Sequence, residues 1–136
     1  MSKIDHIGIA VNSLAESIPL YSAILDQNVT GVEEVPHEKV RVAFFGDEMG
    51  RVELLEATET DSPIGRFIQR SGPGVHHVCL RVPDIDAAIR GAEDNGAELI
   101  PPGIRAGAGG RRVAFLHPRS CGGVLIELSE ADDPSA

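Results

Sequence analysis

His6-Ile7-Gly8-Ile9-Ala10-Val11 and His77-Val78-Cys79-Leu80-Arg81-Val82 are the two stretches that decide the fold, and they lie 71 residues apart. The same separation relates Val42-Ala43-Phe44-Phe45 to Val113-Ala114-Phe115-Leu116. A fixed internal spacing indicates a repeated structural unit, which constrains the fold more than local propensity does. Each copy ends in an apolar strand that carries a carboxylate, Val52-Glu53-Leu54-Leu55 in the first and Val124-Leu125-Ile126-Glu127-Leu128 in the second.

Helical patterns follow the first strand of each copy. Asn12 or Ser13 can cap a helix that runs to about Leu25, and a second helical pattern extends from Asp84 to Asn95, with Gly96 as its terminator. A linker helix is expected to begin at Ser62-Pro63, where a capping residue precedes a first-turn proline.

These elements predict an α+β fold built from two β-α-β-β-β modules, which form a curved mixed sheet around a metal-binding cavity. The predicted boundaries are residues 1–60 for the first module, 61–74 for the helical linker, 75–130 for the second module and 131–136 for a tail. A chain of 136 residues has the length of one domain of about 100–200 residues, or of two small similar halves.

Composition excludes several classes of partner. The net charge of −9 disfavours nucleic-acid and anionic-membrane binding, because a polyphosphate or anionic surface would repel the chain. No apolar run approaches the roughly 20 residues that a membrane span needs. Two cysteines are too few for a disulfide scaffold, and the sequence opens without a secretory leader pattern, so we expect a cytoplasmic protein.

Two histidines and two carboxylates occupy matching places in the two copies, and we predict that they hold one divalent cation. Strand alternation puts His6 with Gly8 and Ala10, and His77 with Cys79 and Arg81, on the less apolar face of each strand. Imidazole and carboxylate ligands suit Co, Mn, Fe, Ni or Zn better than Ca. Taken singly, each residue could equally be a hydrogen-bonded histidine or a solvated glutamate. Their repetition favours the metal site, with ligands His6, Glu53, His77 and Glu127.

A local excess of positive charge lies between Glu98 and Glu127, where the sequence holds no acidic residue. The segment Gly107-Ala108-Gly109-Gly110 lies among these arginines. Arginine forks and glycine amides suit phosphate oxygens, so the ligand could carry a phosphorylated handle such as coenzyme A. The alternative is a solvated loop with scattered salt bridges. The candidate residues are Arg105, Arg111, Arg112 and Arg119.

Longer motifs resemble a known family, the methylmalonyl-CoA epimerases of the vicinal-oxygen-chelate superfamily. The resemblance covers about residues 4 to 129, and Asp61-Ser62-Pro63-Ile64 and the stretch from His117 to Leu128 are its most specific parts. It implies a cation, often cobalt, held by His6, His77 and Glu127, with Glu53 where other members have Glu or Gln. It also implies interconversion of (2R)- and (2S)-methylmalonyl-CoA, and the superfamily often forms homodimers.

The chemistry requires two acid/base groups or one mobile group, because inversion at the carbon takes a proton from one face and returns a proton on the other. We predict Glu127 as the first base and Glu53 as the second. One departure matters: some members of the family have a glutamate where this chain has Val42. The identity of the second acid/base group therefore stays open, as do the physiological metal, the oligomeric state and activity on ethylmalonyl-CoA.

Other functions on the same fold remain as alternatives. A glyoxalase I-type lactoylglutathione lyase also moves a proton beside a metal-bound carbonyl, but its substrate is a glutathione hemithioacetal. A ring-cleaving dioxygenase would use Fe(II) with two histidines and one carboxylate, in a larger apolar pocket. A non-catalytic module that binds drugs or metabolites would generally lack the metal ligands. The specific motifs and the arginines favour the acyl-CoA substrate.

Overall fold

The structure is a computed structural model that describes residues 1–107 and 110–132. The predicted tail 131–136 therefore lies outside the described residues from position 133 onward, as do two residues of the glycine-rich segment, 108 and 109. The strands and helices are β1 (Lys3–Ala10), α1 (Leu14–Leu25), β2 (Gly31–Val35), β3 (Val40–Phe45), β4 (Arg51–Ala57), α2 (Pro63–Ser71), β5 (Gly74–Val82), α3 (Ile85–Asp94), β6 (Arg105–Ala106), β7 (Arg112–Leu116) and β8 (Ile126–Glu130).

The chain divides into two units, and four of the strands are assigned to each. One unit is His6–His76, and its strands are ordered β2-β3-β4-β1 with β1 parallel to β4 and the other pairs antiparallel. The other unit combines Met1–Asp5 with the chain from His77 onward, and its strands are ordered β5-β8-β7-β6 with β5 parallel to β8. The α+β class and the two β-α-β-β-β modules are confirmed.

Helices cover the sheet of the first unit on both faces. Leu14 of α1 packs with Phe45 and Leu54 on one face. Ile64 of α2 packs with Val42 and Leu55 on the other. Alternate side chains of β3 and β4 therefore belong to two separate apolar clusters, one on each face of the strands.

In the second unit, α3 packs against one face of the sheet through Ile85 and Ile89, which join Ala114 and Leu128 in one apolar cluster. The opposite face of this sheet carries Glu127. Residues that pair directly across two strands lie on the same face of a sheet, and so do residues two apart along one strand. The register of β8 with β5 and β7 therefore shows which residues share the face of Glu127.

All three helices begin at the capping residues that the sequence predicts. Ser13 accepts a hydrogen bond from the amide of Glu16, Ser62 from Gly65 and Asp84 from Ala87. Each cap satisfies an amide of the first turn that has no partner within the helix. None of the helices in the described part of the chain combines the length and apolar character needed to cross a membrane.

Two boundaries differ from the sequence prediction. The last strand begins at Ile126 rather than at Val124, because Gly122 and Gly123 have φ of 67° and 88° and prolong the preceding turn. The first five residues belong to the second unit rather than to the first module. Asp5 explains this assignment, because its carboxylate pairs with Arg81 at 2.5 Å and with Arg111 at 3.5 Å.

Candidate metal centre

The first unit brings His6 and Glu53 together. Their strands are parallel neighbours with Gly8 opposite Glu53, and His6 lies two residues before Gly8, on the same face. His6 Nδ1 is 3.2 Å from Glu53 Oε2. The two residues are only 7% and 8% exposed, so this contact lies in a largely dehydrated place where an ionised carboxylate needs a partner.

Arg51 is a third member of this group that the sequence reasoning missed. Its Nη2 lies 3.1 Å from the same oxygen of Glu53 that faces His6. Alternation along β4 could have revealed it, because Arg51 and Glu53 are two residues apart in one strand and therefore share a face. The carboxylate of Glu53 is thus held in position by a guanidinium and an imidazole.

The second unit contains the equivalent pair. Cys79 lies opposite Glu127 in the register of the parallel strands β5 and β8, and His77, two residues earlier, shares their face. His77 Nε2 is 3.3 Å from Glu127 Oε1. The structure therefore places the four predicted ligands as two histidine–carboxylate pairs, one in each unit.

The geometry within each pair fits metal coordination. Two donor atoms bound at about 2.1 Å and at right angles to one another are separated by about 3.0 Å. The observed separations of 3.2 and 3.3 Å are close to that value. Imidazole nitrogen with carboxylate oxygen is a donor set suited to divalent transition metals. Each pair can thus supply two adjacent ligands to a cation.

The predicted excess of positive charge around the glycine-rich segment is balanced by carboxylates from elsewhere in the chain. Arg119 makes two hydrogen bonds to Glu98, both 2.7 Å long. The hydrogen bond from Arg119, together with its positive charge, lowers the pKa of Glu98 below its ordinary value of 4.5. Both side chains are exposed. Glu98 lies just before the segment that holds no acidic residue and is 21 positions from Arg119 in the sequence. The sequence therefore did not predict that the two residues pair.

Two further arginines of this group are also paired. Arg112 contacts Asp86 at 3.0 Å and Glu130 at 3.3 Å, and the hydrogen bond to Asp86 is the main reason that the pKa of Arg112 is raised. Arg111 contacts Asp132 at 2.9 Å as well as Asp5. These acidic partners come from other strands and helices or from the chain end, which a count of charges along the segment does not show.

Arg105 has different surroundings. Its guanidinium carbon lies 4.9 Å from the centre of the Phe115 ring, in a cation–π contact. Phe115 lies directly opposite Glu127 in the antiparallel pair β7–β8. Arg105 therefore lies on the sheet face that carries the histidine–carboxylate pair of the second unit.

Val42 occupies the position where some members of the resembled family carry a glutamate. It is 6% exposed and packs with Val40, Leu55 and Ile64. Phe44, two residues on, pairs with Glu53, so Val42 lies on the same face as that carboxylate. Around Val42 this face is apolar towards Leu55 and Ile64, and the carboxylate directly opposite Val42 in the register is that of Glu33 in β2.

Comparisons with known proteins agree with these features. Residues 5–115 match the glyoxalase/bleomycin resistance protein/dioxygenase superfamily. The chain is 35% identical to human mitochondrial methylmalonyl-CoA epimerase over 132 residues, covering 96% of this chain and 75% of that one. It is 33% identical to the ethylmalonyl-CoA/methylmalonyl-CoA epimerase of Cereibacter sphaeroides, covering 96% and 98%. Streptomyces coelicolor methylmalonyl-CoA epimerase, solved with 2-nitronate-propionyl-CoA, is 34% identical with a TM-score of 0.84, covering 96% and 97%.

Proposed function

Since the chain belongs to the glyoxalase/bleomycin resistance protein/dioxygenase superfamily, we propose that it is a metal-dependent epimerase that interconverts (2R)- and (2S)-methylmalonyl-CoA. Relatives and a solved structure that carry the epimerase name span nearly the whole chain. The observation that carries the proposal is the repeated histidine–carboxylate pair, because a lone pair would be an ordinary ion pair, whereas two matched pairs supply a complete ligand set.

The two pairs share one divalent ion in this proposal, with ligands His6, Glu53, His77 and Glu127. Co²⁺ is the first expectation, and Mn²⁺, Ni²⁺, Zn²⁺ and Fe²⁺ have the same ligand preference. When bound, the cation stabilises the negative charge that develops as the carbon between thioester and carboxylate loses its proton. One ion per chain is expected by elemental analysis. Two ions per chain would mean that each pair acts alone.

Glu127 is assigned as the base that removes the proton from C2. Glu53 donates a proton to the opposite face of C2, which gives inversion, and solvent then removes the proton gained by Glu127 and replaces the one lost by Glu53. The order of the two roles rests on their surroundings, because one oxygen of Glu53 is already engaged by a hydrogen bond from Arg51 and lies 3.2 Å from His6 Nδ1. A correctly placed base contributes about 10²–10⁴-fold to the rate.

The decisive experiment measures incorporation of solvent deuterium at C2 of methylmalonyl-CoA, with the protein loaded in turn with each metal of the panel. Exchange together with interconversion of the two epimers is expected, and chelation of the metal should abolish both. Ethylmalonyl-CoA belongs in the same panel, because the Cereibacter relative is named for both substrates. Turnover of a glutathione hemithioacetal without C2 exchange would support the glyoxalase alternative. Binding of the acyl-CoA without any exchange would support a non-catalytic module.

The remaining parts of the proposal concern the state of the protein in the cell. We expect a cytoplasmic homodimer with a small acyl-CoA substrate as its partner. Within the described residues neither Cys79 nor Cys121 forms a disulfide, which suits a reducing compartment. Sedimentation equilibrium tests the dimer directly.

A further inference from the structure

Within the described residues of the second unit, no carboxylate contacts the partly buried guanidinium of Arg105. Arg105 Nε is shielded from solvent and has no hydrogen-bond partner within the described residues. Its contact with Phe115 involves the ring face, which attracts a cation but leaves the N–H groups free. Arg111, Arg112 and Arg119 all reach carboxylates. A guanidinium N–H that is shielded from water and has no acceptor is costly unless a ligand supplies the acceptor.

The strand register brings Arg105 towards Glu127. Arg105 pairs with Val113 at the edge of the sheet, and Phe115 shares the face of Val113. Phe115 in turn pairs with Glu127, so that their Cβ atoms are about 5 Å apart. The guanidinium carbon lies 4.9 Å from the centre of the Phe115 ring, so Phe115 contacts Arg105 on one side and is the register partner of Glu127 on the other strand.

The repeat separates structural arginines from a functional one. Arg112 has an equivalent in the first unit, Arg41, and both pair with a glutamate of the last strand of their unit. Arg105 has no such equivalent, because the residue that pairs with Val42 in the first unit is Glu33, whereas Arg105 pairs with Val113. A side chain needed to build the module would be expected in both copies. The positive charge of Arg105 occurs in the second unit, and the matching position of the first unit holds the negative charge of Glu33.

From these observations we infer that Arg105 binds the free carboxylate of the malonyl-type acyl group. The inference rests on the proposed function, in which Glu127 removes the proton from the carbon that bears this carboxylate. An anion bound beside the Phe115 ring, on the sheet face that carries Glu127, belongs to the acyl end of the substrate, whereas the phosphates of coenzyme A are separated from the reacting carbon by the whole pantetheine arm. The guanidinium fork then positions the acyl group by two parallel hydrogen bonds and selects acyl groups that carry a carboxylate.

Calorimetry with two ligands tests this role. Methylmalonyl-CoA and propionyl-CoA differ in the free carboxylate and share the whole coenzyme A portion. Arg105→Gln should raise the Kd of methylmalonyl-CoA about 10- to 100-fold and leave the Kd of propionyl-CoA unchanged. Arg105→Lys should recover part of the loss, because it keeps the charge without the fork. Arg90→Gln, on the exposed face of α3, is the matched control and should change neither Kd.

Two outcomes of the calorimetry overturn the assignment. If Arg105→Gln weakens both ligands equally, the guanidinium holds a phosphate, and a dephospho-CoA thioester would then lose its sensitivity to the substitution. If neither Kd changes while the melting temperature falls, Arg105 only stabilises the sheet edge through Phe115. A different result would contradict the proposed function alone. The unsubstituted protein would then bind methylmalonyl-CoA more tightly than propionyl-CoA but exchange no deuterium at C2, and the assignment of Arg105 would survive.

Discussion

Glu130 accepts a hydrogen bond from the backbone amide of Ile85, with its Oε2 3.0 Å from the nitrogen. Glu56 does the same for Leu14 in the other unit, at 2.8 Å. The first amides of a helix have no partner inside it, and a negative charge there also complements the helix dipole. Each module therefore fastens the start of its helix to the last strand of its sheet by the same contact.

Removal of this contact should destabilise the module. Glu130→Ala leaves the amide of Ile85 without its acceptor in a partly buried place, and we expect the free energy of unfolding to fall by about 1–2 kcal/mol. Urea denaturation followed by circular dichroism measures the change. Glu130→Gln keeps an acceptor oxygen, so its free energy of unfolding should fall by less. Glu56→Ala removes the equivalent contact in the first unit and should lower the free energy of unfolding by as much as Glu130→Ala does. Equal stability of the alanine and glutamine variants would show that the hydrogen bond has no stabilising effect.

The sequence predicted the architecture well because its signals are local or repeated. The spacing of 71 residues identified the two modules, and Ser13, Ser62 and Asp84 marked the helix starts through contacts within one turn. The contact from Glu130 to Ile85 joins residues that are 45 positions apart, so no local sequence pattern predicts it. Strand β6 is only two residues long, too short to produce an alternating pattern.

Arg112 is expected to contribute to stability rather than to substrate binding. It contacts Asp86 of α3 and Glu130, the glutamate that caps the same helix. Arg112→Gln should therefore lower the melting temperature and leave the KM for methylmalonyl-CoA unchanged. Arg41→Gln provides the matched variant in the first unit. A raised KM with an unchanged melting temperature would return Arg112 to the phosphate-binding role that the sequence predicts.

The ion pair of Arg119 and Glu98 should make stability depend on pH. Because Arg119 lowers the pKa of Glu98 in the folded state, its contribution is fully present above the ordinary value of 4.5 and is lost as the pH falls through the lowered pKa. Arg119→Gln should bring the pKa of Glu98 back towards its ordinary value, as NMR titration of the side chain would show. The melting temperatures of the two proteins should converge in acid. A constant difference at all pH values would contradict this assignment.

The sequence selected the residues of both histidine–carboxylate pairs but not their surroundings, and the role of these residues as metal ligands stays a prediction. Residue type and repetition were enough to select both histidine–carboxylate pairs. The partners of the arginines depended on which carboxylates other elements deliver, and this follows only from the fold. Arg105 could have been singled out through the register with Val113, but that register requires β6 to be known.

Isosteric substitution of the two glutamates should separate their roles. Glu127→Gln removes the proposed base while it keeps a ligand oxygen, and we expect C2 deuterium exchange to fall about 10²–10⁴-fold. Glu53→Gln should retain exchange at one face and lose inversion, because only the return of the proton is affected. Exchange and epimer ratio are measured by NMR on the same sample. Glu93→Gln, on the exposed surface of α3, is the control. Full activity of Glu127→Gln would remove this residue from the mechanism.

Substitution of Val42 by glutamate tests whether a carboxylate at position 42 can take part in proton transfer in this chain. Val42→Glu would place a carboxylate among Val40, Leu55 and Ile64, where the structure offers an apolar environment. Burial of an ionisable group without a partner should lower the free energy of unfolding by about 2–5 kcal/mol, and we expect no gain in exchange rate. Val32→Glu, on the neighbouring strand at a site that is 49% exposed, should change stability by less than about 0.5 kcal/mol. If Val42→Glu instead unfolds like the unsubstituted protein and exchanges deuterium faster, position 42 is open to the substrate. Glu53 would then not be the group that returns the proton.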